Sequence, residues 1–352
     1  MAYASISKPS LHFNTKLYTG NGSNDHAITG VGFQPDWVWI KARGQAYDHM
    51  IHDSVRGQYK NIRSNLTNAE ATDTSGVKSF DSDGFTTNNG GYTNGNSVSF
   101  ASWNWKANGQ GSSNTDGSIN TTYTSVNTTA GFSISKYTGN ATDGATVGHG
   151  LGVAPDMIIG KDLSDASGWG VWHKDLTNAG YKLTLNNTNA QSDDTYLFGG
   201  SSRTAPTSTV FSLGSGGGLN GANENVVYCF TSIKGYSKFG SYTGNGNADG
   251  PFVYTGFKPA FIMIKSTGYA EAWFLFDSKR PGYNLNANHL MADSSTTETA
   301  STANTMDLYS NGFKMRATNN GINRNNDTFI YMAIAAEPLV ANVGQSIPAT
   351  AR

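Results

Sequence analysis

The sequence predicts an all-β protein of three tandem β-sandwich domains of jelly-roll type, on three observations. First, one block occurs three times. Tyr18-Thr-Gly-Asn-Gly22, Tyr137-Thr-Gly-Asn140 and Tyr242-Thr-Gly-Asn-Gly246 are followed 17, 18 and 17 positions after the tyrosine by Pro35, Pro155 and Pro259, and six further on by Lys41, Lys161 and Lys265. Each proline closes a Gly-[Phe/Val]-x-Pro turn. Second, no 3.6-residue apolar period is sustained, whereas short apolar runs alternate with Gly and Asn turns throughout. Third, the blocks begin 119 and 105 residues apart. Each copy is therefore long enough to close its own core, unlike the roughly 20–50-residue repeats of solenoids.

In order, residues 1–16 read as an N-terminal arm, with a turn at Ser7–Ser10 and a segment Leu11-His-Phe13 able to pair at an edge. The first repeat spans 17–107. Its Tyr-Thr-Gly-Asn-Gly block combines a β-former with residues that accept positive φ, a strand running into a tight turn. Pro35 suits the start of a strand, because it donates no ladder hydrogen bond. In Trp37-Val-Trp-Ile-Lys41, Trp37, Trp39 and Lys41 share one face and Val38 and Ile40 the other. Both faces are apolar, so this strand is central. Asp81-Ser-Asp-Gly84 marks a turn, and Ser97–Trp105 closes the unit with period-2 alternation.

Residues 108–130 are a linker by composition. The second repeat, 131–235, sets Val171-Trp-His173 where the first has Met50-Ile-His52, and its Gly214–Asn223 stretch reads as a flexible hairpin tip. The third repeat, 236–338, follows after few residues, so the second and third should pack as a rigid pair. A tail, 339–352, carries Pro348 near its end.

Net charge is −1, only 14% of residues are charged, and 42 are glycine. There is no basic field for nucleic acid. No run approaches the ~20 apolar residues of a membrane span, and the N-terminus lacks a Sec-type signal pattern, so the product is expected to be made in the cytosol. Cys229, the sole cysteine, lies in an apolar run and reads as a core thiol.

Candidate chemistry is sparse. His49 and His52 point to opposite faces of a strand and cannot share an ion, so no metal or other cofactor is expected. Asp81–Gly84 favours an Asx turn over a calcium loop. Asp53–Arg56 and Asp277–Arg280 recur as an acid–base pair and read as loop-pinning ion pairs, because no histidine recurs to activate a nucleophile. Trp103, Trp105, Trp172 and Trp273 read as packing. The ligand-binding candidates are Tyr47, Tyr92, Trp169 and Tyr269, rings set among Gly and Asn where a rigid aromatic is presented at little entropic cost.

With these blocks in view, the chain resembles a family of structural proteins of tailed bacteriophages, of the marine and cyanophage type, often described as tail-fibre or virion structural proteins. The resemblance rests on Gly32-Phe-Gln-Pro-Asp-Trp-Val-Trp-Ile-Lys41, Asp53-Ser-Val-Arg-Gly57, Ser82-Asp-Gly-Phe-Thr86, Trp103-Asn-Trp-Lys-Ala107, Gly111–Ser118, Thr129–Ser133, Gly148–Pro155 and Ile347–Arg352. It implies domains similar to concanavalin A-like lectin sandwiches and transfers no catalytic residues. The expectation is a non-enzymatic tail fibre or receptor-binding appendage that offers lectin-like loops to a host-surface glycan. A capsid decoration or head-fibre protein is the alternative, and a polysaccharide depolymerase a third reading. Expected partners are other virion proteins and further copies of the chain, as a trimer. The expected location is the particle surface, after assembly in the host cytoplasm.

Overall fold

Four strands recur in each repeat and pair in one order. In the computed structural model, which describes residues 4–338, the opening strands are Phe13–Thr19, Phe132–Thr138 and Ser237–Thr243. Each pairs with a closing strand, Ser99–Trp105, Glu224–Phe230 or Thr328–Pro338. The closing strand in turn flanks a lysine strand, Trp37–Ala42, Met157–Asp162 or Phe257–Ser266, followed by a coupling strand, Met50–Asp53, Gly170–His173 or Phe274–Asp277. All pairings are antiparallel. Helix is confined to single turns at Pro9–Leu11, Gly91–Asn94 and Asn320–Asn323. The protein is all-β.

A smaller sheet faces one side of each large sheet, giving a β-sandwich-like layer pair. In the first repeat, Ile28, Val77 and Phe85 of the small sheet meet Val38, Ile40, Met50 and Phe100 of the large one. The second and third repeats have equivalent outer cores, around Val147, Ile158, Phe211 and Val227 and around Val253, Ile262, Phe313 and Phe329.

The opposite face of every large sheet turns inward, and the three meet in one common core. Trp37, Trp39, Trp103 and Trp105 of the first repeat pack with Phe132, Met157, Tyr228 and Phe230 of the second and Phe261, Met263, Trp273 and Met332 of the third. The Trp37 ring lies 4.6 Å from Tyr228, and Phe261 lies 5.6 Å from both Trp103 and Trp105. The sequence expectation that each unit closes its own core is thus revised. Period-2 alternation correctly marks both faces as buried, but the second face is covered by neighbouring repeats.

The repeats close head to tail. The Glu70 N–H donates to Leu163 C=O, Gln191 to Thr267 and Glu298 to Arg43, at 2.9, 2.9 and 2.8 Å. In the reverse sense Trp169 Nε1 donates to Arg63 C=O and Trp273 Nε1 to Thr184 C=O, both at 2.9 Å. The third position of that cycle holds His49, whose Nε2–H reaches Met291 C=O at 2.9 Å while Nδ1 accepts from Trp39 Nε1. All three repeats are engaged, so the second and third form no privileged pair.

Residues 108–130, compositionally a linker, are folded: Thr121–Asn127 adds a strand to the second repeat's opening strand, Asn127 opposite Phe132. β-branched Thr suits such an edge position. The arm packs too, with Phe13 on Trp105 and, across repeats, on Phe261. Residues 1–3 and the tail 339–352 lie outside the described residues.

Candidate functional site

The repeated tyrosine block anchors a turn. Tyr18, Tyr137 and Tyr242 donate their hydroxyls to the carbonyls of Thr93, Leu219 and Ile322, at 2.7, 2.8 and 2.6 Å. The next residues, Asn94, Asn220 and Asn323, are buried and accept the N–H of Asn21, Asn140 and Asn245. A Cβ on Gly20, Gly139 or Gly244 would fall 2.1–2.2 Å from a carbonyl oxygen of the segment behind it. The block therefore requires glycine there and serves to dock two loops. The asparagines, half of this device, drew no notice in the sequence, although each stands four or five residues before a closing strand.

The lysines hold the adjoining loops. Lys41, Lys161 and Lys265 are buried, and each Nζ donates to the next residue's carbonyl and to that of Gln45, Asp165 or Tyr269. Burial pulls all three down to about 8.

These loops, together with the segment around the buried asparagine, form one tip per repeat. In the first, Tyr47 and Tyr92 pack with centroids 5.1 Å apart, and Arg63 lies over Tyr92. In the third, Arg324 covers Tyr269 at 4.0 Å and pairs with Glu271 at 3.1 Å. Three of the four sequence candidates thus sit at tips, already capped by their neighbours. Trp169 does not. It is fully buried in the common core, so its assignment as a ligand-stacking ring is corrected. Gly168 lies in the loop, but Gly170 opens a strand and is a packing device: a Cβ on it would lie 2.5 Å from Leu197.

The second tip is open. The positions of Tyr47, Tyr92 and Arg324 are taken there by Ser167, Gly218 and Gly221. The result is a cleft of about 630 Å³. Asp162 and Asp165 line one side, both accepting from Asn223 Nδ2, at 3.0 and 2.7 Å. The Lys182–Asp194 pair lies across it at 2.9 Å, and Gly216–Gly218 and Tyr196 complete the lining. Tyr196 is 68% exposed. The Gly214–Asn223 stretch packs against the backbone of Tyr196, and Asn220 within it is buried. Ser167 Oγ is inaccessible to solvent and has no hydrogen-bond partner.

The remaining candidates are structural. Asp83 accepts the N–H groups of Gly30 and Gly32, which hold its carboxyl below the usual range. Asp53–Arg56 and Asp277–Arg280 are buried ion pairs at 2.5 Å. Each also crosses between repeats: Tyr228 donates its hydroxyl to Asp53 at 2.7 Å, and Trp103 Nε1 donates to Asp277 at 3.1 Å. Strand register sets His173 opposite Met157 as Asp53 is opposite Trp37 and Asp277 opposite Phe261, so His173 corresponds to Asp53 and its sequence match to His52 is off by one. Among the described residues no three His, Cys, Asp or Glu converge to hold a metal, and no helix is long and apolar enough to cross a membrane.

Fold and tips together define an all-β protein of three cyclically packed repeats with one open loop cleft. A family model described as a domain of unknown function, DUF7483, matches residues 8–338, and the chain belongs to that family. The match takes in all three repeats without a break. No curated protein and no solved structure matches the chain.

Proposed function

We propose that this chain is a phage virion structural protein, a tail-fibre or receptor-binding appendage acting by adhesion. Each repeat is read as a concanavalin A-like, jelly-roll lectin sandwich. The observation that carries the reading is the cyclic packing, which sets three loop tips at equivalent places around one body. A rigid scaffold bearing variable tips is an arrangement suited to binding, and several copies in one trimer gain avidity. The partner is a host-surface glycan, and the body docks on other virion proteins at a symmetric site, as a trimer.

Immunogold labelling of intact particles tests this: label at the tail tip supports the appendage, and label on the head surface replaces it with a capsid decoration. A free protein sedimenting as a monomer counts against a self-sufficient trimer. A second reading is favoured by one observation, the exposed carboxylate Asp165 and the buried Asp162 held within reach of a single amide at the cleft. Closely spaced carboxylates are what a depolymerase needs. Reducing ends released from host polysaccharide by the wild type and not by Asp165→Asn would establish that reading.

A further inference from the structure

Three features of the second tip point to a ligand. The cleft exists because residues that cap the other two tips are absent from it. In the first repeat the ring–ring contact of Tyr47 and Tyr92 lies under Arg63, and in the third Arg324 lies flat on Tyr269. Serine and glycine at the matching positions of the second repeat leave about 630 Å³ unfilled. One wall is an exposed aromatic ring, Tyr196, with no ring or cation recorded on its face, whereas Tyr92 and Tyr269 each carry an arginine. Ser167 is in the lining, and its buried Oγ has no partner, a state in which buried polar groups are seldom left.

The chemistry of the lining selects the ligand class. Asp165 and Asp194 present carboxylate oxygens, which only accept, and Asn223 presents an amide, while Asp162 is buried with its oxygens taken by the N–H groups of Ser164 and Asp165 and by Asn223. The cations facing them are Lys182, paired to Asp194, and Lys161, whose Nζ lies beneath and is spent on the carbonyls of Asp162 and Asp165. Among the described residues lining the cleft no further cation remains to receive a uronate or phosphate, and three carboxylates repel one. Planar acceptors beside an exposed ring instead suit a molecule with several hydroxyl donors and an apolar face. We propose that the second tip is a binding site for a neutral pyranose, its apolar face on Tyr196 and its hydroxyls donating to Asp165. The first and third tips are self-capped and do not bind in this way. The inference rests on the adhesion reading above and gives that reading a site and a sugar class.

The test uses the full chain with the methyl glycosides of glucose, galactose, mannose and N-acetylglucosamine, and methyl glucuronate as the anionic control, followed by saturation-transfer NMR and titration. The expected result is transfer to at least one neutral glycoside and none to the glucuronate. Affinity should fall roughly tenfold or more in Tyr196→Ala and in Asp165→Ala, the scale of one lost ring contact or charged hydrogen bond. It should be retained in Tyr196→Phe and in Tyr92→Ala. No transfer to any neutral glycoside, equal transfer to glucuronate, or undiminished affinity in both alanine variants overturns the proposal, as does recovery of binding only on adding calcium. Particle labelling separates the two levels: sugar binding at this tip by a protein absent from virions defeats the appendage reading alone, and virion-located protein indifferent to Tyr196→Ala defeats this site alone.

Discussion

Two of the three junctions between repeats are built on charge, and the third on neutral groups. Where the first repeat meets the second, and the third meets the first, a buried Asp–Arg pair takes a hydrogen bond from an aromatic donor of the neighbouring repeat, Tyr228 or Trp103. Where the second meets the third, register puts His173 at the aspartate position, Leu176 at the arginine position and Met332 at the donor position. Acid, base and donor have been exchanged together. A buried donor without its acceptor, or a buried cation without its anion, costs far more than losing the whole set. The contrast teaches that the unit of substitution at these junctions is the complete polar cluster.

The largest effect should come from breaking one cluster by halves. Asp53→Ala strands the Tyr228 hydroxyl and leaves Arg56 with only Glu70 and the Ile51 carbonyl, and should cost about 3 kcal/mol or more in urea unfolding; a loss below about 1 kcal/mol would mean the cluster is not sealed from water.

Next comes acid. Burial lowers His173 to about 4, against about 6.5 in an unfolded chain. The unfolded chain therefore binds a proton first, so the stability contribution is whole above pH 6.5 and drains as pH falls towards 4. The slope is about 1.4 kcal/mol per pH unit. His52, lowered to about 3 by burial, acts alike inside the first repeat. Glu298 behaves differently: although its burial opposes ionisation, the Arg43 and Arg280 guanidiniums hold it down to about 2, so its share persists until pH drops below about 4.5. His49, at the junction of the third repeat with the first, is likewise lowered by burial and loses its share as pH falls below 6.5, so His173→Gln should reduce, without abolishing, the slope of the melting-temperature profile between pH 6.5 and 4. An unchanged profile would show that His173 is not held neutral.

Tyr228→Phe removes a single hydrogen bond to a charged acceptor and should cost about 1.5–3 kcal/mol. Smallest of all, Met332→Leu at the neutral junction orphans nothing and should cost less than about 1.5 kcal/mol. If the last two were equal by calorimetry, the distinction between junctions would have no energetic content.

The strands were legible because their signals are local. Alternation in Trp37–Lys41 marks two buried faces, and the glycines of the tyrosine blocks mark turns. What covers the second face was not legible, because Trp37 and Trp39 look the same whether their partners lie in their own repeat or the next. Trp169 misled for a related reason: glycine on both sides resembles a loop, yet Gly170 opens a strand and makes room for Leu197. The open tip left a faint trace, since Tyr196 stands in a stretch without a counterpart in the repeated blocks and Ser167, Gly218 and Gly221 signify only by what the matching positions carry elsewhere.

The common core has a consequence for how the protein comes apart. Trp37 touches rings of the second repeat while Trp105, beside it, touches one of the third, so no repeat can detach without baring the inward faces of the other two. Denaturation should therefore run as one cooperative transition of the whole chain, with the steep denaturant dependence of its full length rather than of a third of it.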